Sequence, residues 1–142
     1  MSTPLRRMIL GLLLLEILGT GIELLFISHF EDAWQIVPLG LIALVLAVLM
    51  WHAAAQNAAS IQVLRVTMTV AIAVGLVGMV LHYQGAAEFQ IEIDRTLHGP
   101  ALWLKALRAK APPALAPAVM AHFGLLGLVY TYRHPSLERT SS

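Results

Sequence analysis

The chain has 142 residues, 58% of them hydrophobic and 12% charged, with a mean hydropathy of +0.77. Soluble domains carry about 25% charge, and a chain this short has too little interior to hide so much apolar surface from water. A soluble globular fold is therefore excluded. The net charge of +1 makes no case for nucleic acid, and the absence of cysteine removes disulfides, thiolate catalysis, iron–sulfur clusters and cysteine-ligated zinc.

Length allows one membrane domain, residues 1–142, and the apolar runs predict four spans at about 5–30, 36–55, 62–82 and 114–132. Helices are the natural solution, because backbone polar groups in lipid must be satisfied internally. At the start, Arg6 and Arg7 before Met8–Leu15 imitate a signal peptide. Glu16 interrupts that apolar core and no A-x-A site follows, so a retained first span is expected. The connection Glu31-Asp32-Ala33-Trp34-Gln35 is short, Pro38 suits the first turn of the second span, and the link at Gln56-Asn57 is tight. Short links favour antiparallel neighbours. The expected fold is thus an all-α integral membrane protein, a four-transmembrane-helix antiparallel bundle with a long, partly helical, amphipathic segment between helices three and four.

That segment, residues 83–113, is long for a connection and holds most of the remaining charge. Glu88-Phe89-Gln90-Ile91-Glu92-Ile93-Asp94 alternates as a half-buried strand would, while Glu88, Glu92 and Arg95 equally share one helical face. After Gly99-Pro100, Trp103, Leu104 and Leu107 fall on one face, with Lys105 and Arg108 elsewhere, as in a helix lying in the membrane interface. Pro112, Pro113 and Pro117 then break the chain before the last span. Trp34, Trp51 and Trp103 read as interfacial belt residues, and His52, next to Trp51, as one more of them. His98 and His134 fall in surface segments. Four spans put both termini on one side, with Arg6, Arg7, Arg65, Arg133 and Arg139 against Arg95, Lys105, Arg108 and Lys110 on the other. By the positive-inside rule the termini are expected in the cytoplasm, and the simplicity of the chain and its near-absence of loops suggest a bacterial inner membrane.

The residues that carry chemistry start with Glu16 and Glu23, two turns apart on one face of the first span with Thr20 between them. They lie about 10 Å apart along the axis, too far to share one metal ion. Intramembrane acids face a bundle interior and mark proton or ion sites, or act as polar packing clamps. By depth, Glu23 pairs with His122 of the fourth span and Glu16 lies level with Thr67 and Thr69. His29 and His82 fall at the outer helix ends beside Glu31, Asp32 and Glu88, a donor set for a first-row metal ion, and two imidazoles alone can ligate a haem. No spacing such as H-E-x-x-H fixes a site. Gly75 and Gly78 on the third span, and Gly124 and Gly127 on the fourth, read as close-packing surfaces.

The run Leu15-Glu16-Ile17-Leu18-Gly19-Thr20 resembles the first helix of the small multidrug resistance transporters, in which a membrane-embedded glutamate followed by Gly and Thr exchanges protons for cationic aromatic drugs. The chain departs from that family in its second acid, Glu23, in its thirty-residue segment before the last helix, and in lacking the third-helix aromatic motif. The resemblance implies only that Glu16 is a proton or cation site. The expected function is a small polytopic membrane protein that binds or moves a cation or protons through the bundle by Glu16, Glu23, His122 and Thr20. The alternatives are a non-catalytic accessory subunit of a larger membrane complex and a haem- or metal-binding protein using the outer histidines. Partners are lipid and, for assembly, a second copy or other membrane subunits.

Overall fold

In the computed structural model, which describes residues 2–110 and 113–140, the chain is helical and no strand occurs among the described residues. Its helices are α1 (Thr3–Phe26), α2 (Ala33–Ala55), α3 (Ala58–Ile93), α4 (Gly99–Leu107) and α5 (Ala118–Thr131), followed by a short 3-10 helix at Pro135–Thr140. Three of them, α1, α2 and α3, are long and apolar enough to cross a membrane. Helix α5 is equally apolar but has 14 residues, about 21 Å of rise against a hydrocarbon core of about 30 Å.

Local chemistry fixes most of these boundaries. Helix α1 opens with Pro at its start and ends at Phe26, where Ile27–Phe30 turn and Ser28 takes a left-handed φ of 55°. The helix is therefore shorter than the span expected to reach residue 30. Asp32 caps α2, its Oδ1 accepting from the amides of Trp34 (2.8 Å) and Gln35 (3.0 Å). This cap starts the helix at Ala33, so Pro38 stands inside it and not in its first turn. The α2–α3 link is two residues. Gln56 is left-handed at φ 46°, and the Asn57 side chain caps α3 by accepting from the Ser60 amide at 2.9 Å.

Helix α3 departs furthest from expectation. It continues unbroken to Ile93, eleven residues beyond the end expected at His82, so Glu88–Ile93 are helical and not a strand, while Asp94 is extended and Arg95 lies past the helix end. A 36-residue helix is about 54 Å long, more than the bilayer with its headgroups. The reason is tertiary: α4 packs back along this extension, with Ala86 of α3 and Ala106 of α4 both fully buried. The Ala face of α4 thus meets α3 while Trp103 and Leu104 stay exposed. Pro113 precedes a turn at residues 114–117, and Pro112 lies outside the described residues.

Helix α5 packs chiefly on α3 and also on α1, while α2 packs on α3 and, over a smaller area, on α1. The core is built from Leu13 and Ile17 of α1, Val45 of α2, Ile61, Leu64 and Met68 of α3, and Phe123 of α5. Glycines set the α3–α5 spacing. A Cβ on Gly75 would stand 2.6 Å from the Ala121 amide nitrogen, and one on Gly124 would stand 2.7 Å from the Met68 carbonyl oxygen. The outward faces remain apolar, Leu15 at 70% and Phe26 at 85% exposure, as lipid contact requires. Composition, helix length and these faces define an integral membrane protein of the all-α class.

Candidate functional site

Two contacts set α1 against α5. At one end the Arg6 guanidinium donates to the carbonyls of Tyr132 (3.4 Å) and Arg133 (3.1 Å). Near the middle of α1, Glu16 Oε1 meets His122 Nδ1 at 2.6 Å. The Glu16 side chain is 26% exposed and that of His122 61%, so the pair lies at the edge of the α1–α5 contact with the imidazole outward. Glu16 Oε2, by contrast, is buried and has no hydrogen-bond partner among the described residues. Thr20, one turn on, is buried. The imidazole and the carboxyl are thus within hydrogen-bond distance through Nδ1 and Oε1, while the second carboxyl oxygen faces no protein partner among the described residues.

The expected partner of His122 was Glu23, and the structure substitutes Glu16. Ending α1 at Phe26 moves the middle of the helix to Leu14–Leu15. Glu16 is thereby carried to mid-depth and Glu23 lies three residues from the helix end, where it is exposed. Thr67 and Thr69 do not meet Glu16 either. Their hydroxyls donate within α3, to the carbonyls of Val63 and Arg65.

At the end of the molecule where α1 stops, a cavity of about 680 Å³ opens between α2, α3 and the start of α5. Its walls are apolar, and His29, Asp32, Trp34, Gln35 and His82 stand among its lining. The His29 and His82 rings are 6.3 Å apart, and His82 Nδ1 donates to the Pro113 carbonyl at 3.1 Å. Partial burial, then the neighbouring His82, hold His29 below the usual imidazole range, with Asp32 acting in the opposite direction. The metal-ligand set expected from His29, His82, Glu31, Asp32 and Glu88 does not assemble. Among the described residues no three His, Asp or Glu side chains converge. Glu31 and Glu88 are exposed, and Glu88 lies about 9 Å along α3 from His82.

A third polar group lies buried where α2 meets the segment after α5. His52 is buried, at 4% exposure, and is not a belt residue; nor does His134 lie on the surface, at 9%. Their rings meet edge-on at 4.9 Å, beside Tyr130. Ser60 Oγ donates to the Asn57 carbonyl at 2.9 Å and so accepts from His52 Nδ1 at 2.8 Å, which assigns the proton of His52 to Nδ1. Arg65, expected only to set orientation by its charge, donates to Thr131 Oγ1 (3.3 Å) and the Thr131 carbonyl (2.9 Å), satisfying the end of α5. The available signal was symmetry, since His52 and Ser60 each lie about one turn from the Gln56-Asn57 link. Trp34, Trp51 and Trp103 are exposed, as are Lys105 and Arg108. No protein-family model, no curated protein and no solved structure matches the chain.

Proposed function

We propose that this protein exchanges a proton within the membrane at the Glu16–His122 pair. The observation that carries the reading is the buried, unpartnered Glu16 Oε2 beside a 2.6 Å carboxyl–imidazole contact. A buried acceptor without a partner costs about 1–3 kcal/mol, and a proton taken up there removes charge from a site with little water. His122, outward on α5, is the hydrogen-bond partner that shares the proton exchanged at Glu16. In this reading α5 with its flanking turn completes a fourth crossing, the neighbouring helices run antiparallel, both termini lie in the cytoplasm, and α4 rests its Trp103 at the lipid interface. Glu23 stands apart from the pair.

Infrared difference spectra of the protein in lipid, recorded across an acid-to-alkaline titration, test this. A protonated-carboxyl C=O band should rise and fall, vanish in Glu16→Gln, and titrate at a changed pH in His122→Ala. Glu23→Gln should leave it in place. A band unchanged by Glu16→Gln would refute the proposal.

A second reading is favoured by the exposure of His122 on a surface that otherwise faces lipid. A polar group at such depth is expensive unless covered, and a second membrane subunit on the α1–α5 face would cover it. Native mass spectrometry from mild detergent distinguishes the readings, because a lone monomer removes the second.

A further inference from the structure

The cavity at the α1–α2 turn is independent of the Glu16–His122 pair and has a chemistry of its own. Its volume of about 680 Å³ lies in the range of small-molecule sites. The walls contributed by Val74, Val77 and Met120 are apolar, and no lysine or arginine lines it among the described residues. Gln35 has its Oε1 engaged by the Glu31 amide and offers N–H donors, while Asp32 and His82 supply acceptors to the lining. The Asp32 carboxyl spends Oδ1 on the α2 cap, leaving Oδ2 for a ligand. His82 Nδ1 donates to the Pro113 carbonyl, so in the singly protonated ring Nε2 is the nitrogen that can accept. Trp34, 69% exposed, adds an aromatic face that attracts cations. An anion meets no positive partner here, and a purely apolar molecule leaves the acceptors unused. We infer that this cavity binds an amphipathic ammonium, a hydrophobic amine whose N–H groups meet Asp32, His82 and the face of Trp34 while its apolar body fills the slot between α2 and α3.

Octylammonium, octanol and octanoate share a tail and differ only in the head, so they separate charge recognition from greasy filling. Each is titrated into the full-length protein in lipid nanodiscs while the imidazole signals of His29 and His82 are followed by NMR. His98, on the N-terminal side of α4 and outside the cavity, reports non-specific surface effects. Octylammonium should perturb His29 and His82 saturably, leave His98 unmoved, and bind at least about tenfold more tightly than octanol. Asp32→Asn, which keeps a good cap residue, should weaken octylammonium by about tenfold while sparing octanol. Ala73→Phe, at an exposed wall position, should abolish binding, and Val77→Phe serves if that variant fails to fold. Equal affinity for octanol or octanoate, an Asp32→Asn variant that binds octylammonium as the parent does, or no saturable change at His29 and His82 would each overturn the assignment.

Discussion

Adding one methyl group to a glycine should have opposite effects on the two sides of this molecule. At Gly75 a Cβ would come within 2.6 Å of the Ala121 nitrogen and 3.0 Å of the Pro117 oxygen, both backbone atoms that no rotamer change can move. Ordinary contact begins near 3.4 Å, so α5 must back away from α3 by about 0.8 Å. A buried side chain gathers about 5–10 kcal/mol of dispersion contact, and a gap of that size forfeits about a quarter or more. For one side chain's worth of the crossing the loss is about 1–3 kcal/mol, the range of overpacked cores. Gly19, on α1, has nothing within 4 Å of the added atom. There Gly→Ala should be neutral or gain up to about 1 kcal/mol from helix propensity. Unfolding equilibria in mixed micelles for Gly75→Ala, Gly124→Ala and Gly19→Ala measure this directly. If Gly75→Ala and Gly124→Ala prove as stable as Gly19→Ala, the close α3–α5 crossing is wrong.

Three further outcomes are expected. His29 should titrate below its ordinary value of 6.5, with His82→Ala raising it and Asp32→Asn lowering it further, read by NMR. Since the unfolded chain binds this proton more readily than the folded one, the His29 contribution to stability is complete above 6.5 and declines as pH falls below it. Arg65→Ala removes both hydrogen bonds to Thr131 and should cost about 1–3 kcal/mol in the same unfolding assay. In the α2–α3 link, Asn57→Ala should cost about 1 kcal/mol by loss of the cap. Gln56→Gly should instead gain up to about 1 kcal/mol by relieving the left-handed φ of 46°.

Composition and hydropathy by themselves determined that the chain is helical and lipid-embedded, because neither depends on which helix touches which. The glycines of α3 and α5 were likewise legible as a close-packing surface, since small residues at helical spacing have few other uses in lipid. Helix ends were less legible. The left-handed Ser28 and the Asp32 cap moved boundaries by a few residues, and α3 ran on past His82 because α4 folded back against it. Depth errors of that size decided the site. Which acid met His122 turned on a four-residue shift at the end of α1, and Glu23 faced outward because nothing packed over it. The burial of His52 against His134, two residues far apart in the chain, required the tertiary contacts of α2 with the segment after α5. Local periodicity encodes what one helix wants, whereas pairing between distant side chains is set by packing across several helices at once, and only the folded structure carries that information.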